Sequence, residues 1–329
     1  MILAGDIGGT KTNLALFEDA ADGKLSKREG QTFSSKDHAD LEAVIAEFLS
    51  GHELPIDAAA FGVAGPVIDG VCRATQLPWI VSRASLQDVL RIDDVWVIND
   101  LEATAYGVPT LSEDQLVTLN PGQRAHGGNI AVIAAGTGLG EAALIWDGAR
   151  YHTMASEGGH VDFAPRNELE IELLRYMLTI KHRISYERIL SGQGLVNIYN
   201  FLKARGLSDE PDWLRLEIEE SADAARTISQ CALAARAEIC VKALDLFVSI
   251  YGAQAGNFAL TVAATGGVFV GGGIAPKIIE KLTDGTFLES YKDKGRLSPM
   301  VEAAHVSVIM EPLTALIGAG SYAATRRAR

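Results

Sequence analysis

Asn99-Asp100 closes an apolar run, Val95-Trp96-Val97-Ile98, that reads as a buried strand. Both side chains should then emerge at a strand's carboxyl end, where α/β proteins place their ligands. A carboxylate there can take the proton of a ligand hydroxyl as that oxygen attacks phosphorus. The same acid could cap a helix over residues 101–106, so the local sequence leaves both roles open for Asp100. A second constellation is Glu157-Gly158-Gly159-His160, where two glycines let an irregular turn bring a carboxylate and an imidazole together to read neighbouring hydroxyls. Zinc at His160 would need further ligands, and no cysteine cluster lies nearby in the sequence. Glu187, in Ser185-Tyr186-Glu187-Arg188, reads on its own as an ordinary exposed helix acid.

Two glycine-rich turns accompany these groups: Gly5-Asp6-Ile7-Gly8-Gly9-Thr10-Lys11-Thr12 and Gly136-Thr137-Gly138-Leu139-Gly140. Without a Cβ in the way, backbone N–H groups can approach a phosphate closely. Neither turn is a P-loop, because Lys11 follows Gly8-Gly9-Thr10 without the required spacing, and neither is a dinucleotide fingerprint, because a strand and not a helix follows Gly140. Either turn alone would also suit a tight structural hairpin. As a pair, with Asp6 and Thr137 in their tips, they point to a clamp for a triphosphate. Asp6 beside phosphates would be repelled unless a cation lay between them, which suggests Mg2+; capping of its own turn is the alternative.

The elements that must position these groups are legible in outline. Ile2 to Ala4 and Asn13 to Phe17 flank the first turn as strands, and Ile130 to Ile133 and Ala142 to Trp146 flank the second, so the chain looks internally duplicated. Two similar α/β domains are expected, each opening with a hairpin whose turn faces a central cleft. Residues 39–49, 168–180 and 222–259 carry a helical period, 58–63, 94–98, 268–270 and 306–310 read as strands, and Pro312 should start the last helix. A hinge is expected near residues 110 and 311.

The composition bounds the function classes. A chain of 329 residues that is 48% hydrophobic can bury two cores. Its net charge of -13, from 42 acidic against 29 basic residues, disfavours a nucleic-acid partner. The basic end Arg326-Arg327-Ala328-Arg329 reads as a solvated helix terminus. Cys72, Cys231 and Cys240 form neither a disulfide framework nor metal pairs, which fits a reducing, cytoplasmic setting, and the opening residues carry no secretory pattern. No charge occurs between Asp245 and Lys277, a length that could cross a bilayer, but Gln254, Asn257 and two glycine clusters there favour a buried helix, strand and turn, so no membrane partner is expected.

Taken in order, Gly5-Asp6-Ile7-Gly8-Gly9-Thr10, Asn99-Asp100, Gly136-Thr137-Gly138-Leu139-Gly140, Glu157-Gly158-Gly159-His160-Val161-Asp162-Phe163-Ala164-Pro165, Glu187-Arg188-Ile189-Leu190-Ser191-Gly192 and Gly271-Gly272-Gly273-Ile274 resemble the bacterial glucokinases of the non-zinc type, within the hexokinase and actin-like ATPase superfamily. The resemblance spans the whole chain. It implies an α/β fold of two ribonuclease-H-like domains around a central cleft, a small one over residues 1–110 completed by a C-terminal helix at 312–329 and a large one over 111–311. It implies ATP-dependent phosphorylation of the 6-hydroxyl of glucose, with Mg2+ carried by ATP near Asp6 and Asp100 as the base. Asn99, Asp100, Glu157, His160 and Glu187 would then hold the sugar. Asp6, Gly8, Gly9, Thr10, Gly136, Thr137, Gly138, Gly272 and Gly273 would hold the nucleotide. A homodimer is implied as well. Gln76 stands where the family usually has Asn and is left out of the sugar contacts. Lys11 occupies a variable position. The related zinc-containing kinases and repressors carry a cysteine cluster after the Glu-x-Gly-His motif, and here none follows; the repressors' helix-turn-helix is not expected either. A kinase for mannose or N-acetylglucosamine, and a non-catalytic sugar sensor, are the alternatives.

Overall fold

The computed structural model describes residues 1–19, 25–51, 55–154 and 156–327. The chain forms two compact units, one of Met1–Gln115, Thr153–Ala155 and Glu311–Arg329, the other of Leu116–His152 and Ser156–Met310.

In the first unit the strands are β1 (Ile2–Ile7), β2 (Lys11–Asp19), β3 (Leu25–Ser34), β4 (Ala58–Val63), β5 (Val67–Ile68), β6 (Val71–Arg73), β7 (Ile80–Ser82) and β8 (Val95–Asn99). The main sheet has the order β3-β2-β1-β4-β8, and β5, β6 and β7 form a small separate sheet. β1 and β2 pair antiparallel from Ile2 opposite Phe17 to Ile7 opposite Thr12, while β1, β4 and β8 run parallel. Parallel strands are covered on both faces, which is why β4 is an unbroken buried run, Ala58-Ala59-Ala60-Phe61-Gly62-Val63. Helices α1 (Leu41–Leu49), α2 (Arg83–Leu90) and α3 (Asp100–Gly107) connect the strands. Asp40 caps α1 by accepting from the Ala43 N–H at 2.8 Å, and Leu41, Val44, Ile45 and Phe48 form its buried stripe. Each such side chain contributes roughly 1.5–3 kcal/mol on burial.

The C-terminal helix Thr314–Arg326 packs on α3. A Cβ at Gly318 would overlap the Ala103 carbonyl and one at Gly107 the Thr314 carbonyl, so glycine lets the two backbones touch. The helix begins at Thr314 rather than Pro312, because Glu311 turns the chain first: its side chain accepts from Leu313 N–H at 2.8 Å and its carbonyl from the Thr314 hydroxyl at 2.7 Å. Arg326 lies over the Tyr322 ring, 4.5 Å from its centroid, and Ala328 and Arg329 of the basic end lie outside the described residues.

The second sheet consists of β9 (Leu116–Asn120), β10 (Ile130–Ala135), β11 (Leu139–Trp146), β12 (Tyr151–Met154), β13 (Gly267–Gly271) and β14 (Val306–Ile309), in the order β12-β11-β10-β13-β14-β9, and all but the last two residues of β12 belong to the second unit. β10 and β11 form an antiparallel hairpin, and β10, β13 and β14 run parallel. The hairpin-plus-two-parallel-strands arrangement of the first sheet is thus repeated, as the duplicated sequence pattern predicts.

Helices α4 (Glu168–Leu178), α5 (Gly192–Ala204), α6 (Asp212–Glu220), α7 (Ala224–Leu233) and α8 (Glu238–Thr261) follow. The helical stretch expected over 222–259 is two helices, because Ala235 adopts a left-handed conformation at φ 51° and ends the first. Helix α8, at 24 residues, is long and apolar enough to cross a membrane, yet 78% of its most apolar window is buried inside the protein. It packs against α5, α7 and the helix Thr286–Lys292, as a core helix does.

Candidate active site

Strand β8 ends at Asn99, and the side chain of Asn99 caps α3: its Oδ1 accepts from the N–H groups of Leu101 at 2.9 Å and Glu102 at 3.4 Å. Its Nδ2 donates to the Gly65 carbonyl at 3.0 Å. This resolves the question that the sequence left open. Asn99 does the capping, and Asp100 is the first residue of the helix, its Oδ1 accepting from Leu101 N–H at 2.9 Å. Asp100 is pushed up to about 6, first by burial and further by Asp6, while its hydrogen bonds oppose the shift. Asp6 also lies above its ordinary value because it is buried, against the hydrogen bond donated by Asn13 Nδ2 at 3.1 Å. Two coupled carboxyls therefore sit at the carboxyl ends of the parallel strands β1 and β8, a place that favours a cation or a proton-bearing ligand.

The first glycine turn belongs to the same unit. Gly8 N–H donates to Lys11 O at 3.0 Å, Ser35 N–H to Thr10 O at 3.0 Å, and the Ser35 hydroxyl to Gly8 O at 2.8 Å, so the turn is pinned from behind while Thr10 stays exposed. A Cβ on Gly9 would come within 2.5 Å of the Gln76 side chain, which places Gln76 against the turn.

In the second unit, Gly136 N–H donates to Gly138 O at 2.8 Å and Gly192 N–H to Gly136 O at 2.9 Å, which fixes the second turn to the start of α5. Gly272 adopts φ 84°, and a Cβ there would overlap Ala135 O, while nothing stands near a Cβ at Gly273. These segments meet at the carboxyl ends of β10 and β13 and border a cavity of about 950 Å3 that Gly136, Thr137, Gly192, Gly273, Ile274 and Lys277 help to line. Its size suits a nucleotide. With nothing beside a Cβ at Gly273, a phosphate can approach the backbone there, so these residues fit ATP.

The cavity also involves residues that sequence reasoning missed, Gln193 at the start of α5 and Ala224 and Arg226 at the start of α7. Ser191 and Asp223, the caps of those helices, were the available signal.

Glu157, His160 and Glu187 come together in this same unit. Glu157 precedes and His160 ends a short 3-10 turn, both exposed, and His160 Nε2 lies 3.9 Å from Glu187 Oε2. Glu187 is not a free helix acid: its Oε2 accepts from Leu139 N–H at 3.1 Å, and a Cβ on Gly138 would displace it. The two segments are joined by backbone, Tyr186 N–H to Val161 O at 3.0 Å and Phe163 N–H to Ile184 O at 2.9 Å. Of the predicted site residues, Asp6, Gly8, Gly9, Thr10, Asn99 and Asp100 are in the first unit and Gly136, Thr137, Gly138, Glu157, His160, Glu187, Gly272 and Gly273 in the second. Among the described residues no group of three or more His, Cys, Asp or Glu side chains is placed to hold a metal ion.

The family model described as "Glucokinase" matches residues 3–326. The glucokinase of Trichormus variabilis is 40% identical over 98% of this chain and 99% of its own length. The crystal structure of a glucokinase from an Antarctic psychrotroph is 31% identical with a TM-score of 0.88, covering 98% of both chains. A ROK-family glucokinase from Streptomyces griseus, solved in complex with glucose and AMPPNP, is 19% identical with a TM-score of 0.63 over 98% of each chain and shares the fold, that of the actin-like ATPases. The match of sequence over nearly the full length, together with the shared fold, makes this chain a member of the glucokinase family.

Proposed function

We propose that the protein transfers the terminal phosphoryl group of ATP to the 6-hydroxyl of glucose, with Asp100 as general base. The observation that carries this reading is the division of labour at the end of β8: Asn99 caps α3, and the partly buried Asp100 carboxyl, raised by burial and by neighbouring Asp6, stands on the first residue of that helix. At neutral pH a carboxyl pushed up to about 6 is ionised in most molecules yet basic enough to take a proton. Asp100 accepts the proton of the attacking hydroxyl and orients its oxygen. Asn99, Glu157, His160 and Glu187 hydrogen-bond the remaining sugar hydroxyls.

MgATP, when bound, supplies the phosphoryl group and the divalent charge that screens it. The turns at Gly8-Gly9-Thr10 and Gly136-Thr137-Gly138 hold the phosphates through backbone N–H groups, Gly272 and Gly273 border the adenosine, and Asp6 faces the cation. A coupled ADP-release assay across glucose, mannose and N-acetylglucosamine, each with ATP, ADP or polyphosphate, tests the reading. Release with glucose and ATP at the highest kcat/KM is expected. A higher value for either other hexose would reassign the substrate, and no release with any hexose would contradict the enzymatic role.

A further inference from the structure

Glu141 is a buried carboxylate with no part in the chemistry proposed above. It lies in β11 and is 3% exposed. Its Oε1 accepts from Gln254 Nε2 at 2.7 Å, Gln254 Oε1 accepts from Asn257 Nδ2 at 3.1 Å, and Asn257 Nδ2 reaches the Tyr186 hydroxyl at 3.3 Å. Its other oxygen, Oε2, occupies the place a β carbon would take at Gly158. One carboxyl therefore lies directly under the turn that carries Glu157 and His160, and through two amides of α8 it reaches the residue next to Glu187. Such an arrangement costs stability, because burial raises the Glu141 carboxyl to about 7 where an apolar side chain would bear no desolvation penalty. A buried polar chain linking two ligand-bearing turns, at a cost to the fold, has the form of support for a binding site.

We propose that Glu141 is a positioning residue for the acceptor sugar: seated under Gly158 and tied through Gln254 and Asn257 to Tyr186, it holds the Glu157–His160 turn and the Glu187 turn at a fixed spacing and so sets sugar affinity rather than the rate of phosphoryl transfer. This rests on the sugar-binding role given above to Glu157, His160 and Glu187. The test is steady-state kinetics of wild type, Glu141→Ala, Glu141→Gln and Gln254→Leu with glucose and MgATP, alongside thermal unfolding. Glu141→Ala is expected to raise the glucose KM about tenfold with kcat and the MgATP KM within about twofold. Glu141→Gln keeps the shape and one acceptor oxygen, and should bring the glucose KM back to within about threefold of wild type. Gln254→Leu leaves the carboxyl in place but cuts its tie to Asn257, and should raise the glucose KM about fivefold.

An unchanged glucose KM in Glu141→Ala overturns the proposal. So does a joint rise of both KM values with a lowered unfolding temperature that Glu141→Gln does not correct. If Glu141→Ala does not fold, Gln254→Leu decides: a raised glucose KM with kcat kept supports the role, and an unchanged one overturns it. A wild type that phosphorylates no sugar removes the functional reading beneath this inference, whereas an active wild type with unmoved variants removes the positioning role alone.

Discussion

The two hairpin turns share a topology and differ in what their tips meet. The first is braced by Ser35 and by Gln76 and holds an acid inside itself, Asp6, with a second acid, Asp100, at the end of a neighbouring parallel strand. The second holds no acid in its turn. It is tied to the start of α5, presses Gly138 against the Glu187 carboxylate and borders a large cavity. On the proposed reading the duplicated scaffold carries the base in one copy only, Asp100, while both copies hold ligand through the residues at their strand ends. Both copies also bury a carboxyl at a cost, Asp100 at about 6 and Glu141 at about 7.

The division is broken most severely by Asp100→Asn, which should lower kcat by about 10²–10⁴ while the glucose KM stays within about threefold. Turnover above a tenth of wild type in a steady-state assay would contradict it. A smaller effect separates the turns themselves. Gly138→Ala pushes Glu187 away from Leu139 N–H and should raise the glucose KM about tenfold, whereas Gly9→Ala presses on Gln76 and should raise the MgATP KM about threefold. Equal changes in both KM values from both variants would erase the distinction.

The smallest effect is on stability. A carboxyl raised from 3.8 to about 6 in the folded state binds its proton more tightly there than when unfolded, so it destabilises increasingly as pH rises from about 4 to 6 and fully above that range. Asp100→Asn should accordingly gain about 1–3 kcal/mol at pH 8 and nothing near pH 3.5, read from denaturant unfolding at the two pH values.

Much of this was legible in the sequence where the signal is local. Apolar runs broken by glycine marked both hairpins, and Asn99-Asp100 after Val95-Trp96-Val97-Ile98 marked a strand end that β8 bears out. Whether Asp100 capped the helix was not legible, since Asn99 and Asp100 both accept from Leu101 N–H and only Asn99 reaches Glu102 N–H as well. The break at Ala235 was hidden for a similar reason: an alanine-rich stretch favours continuous helix, and its left-handed residue carries no mark in composition. Gln193 and Arg226 reach the cavity only because two distant helix starts converge there, and Glu141 gains its meaning from Gly158 and Gln254, residues far from it in the chain.

The pH dependence of kcat/KM for glucose, measured for wild type and Asp100→Asn, bears most directly on the central assignment. If Asp100 is the base, log kcat/KM in the wild type rises with unit slope at low pH and levels off with a break at about 6, and the residual activity of the variant shows no such break. A wild-type profile flat through that range, or a break that persists in Asp100→Asn, would place the base elsewhere.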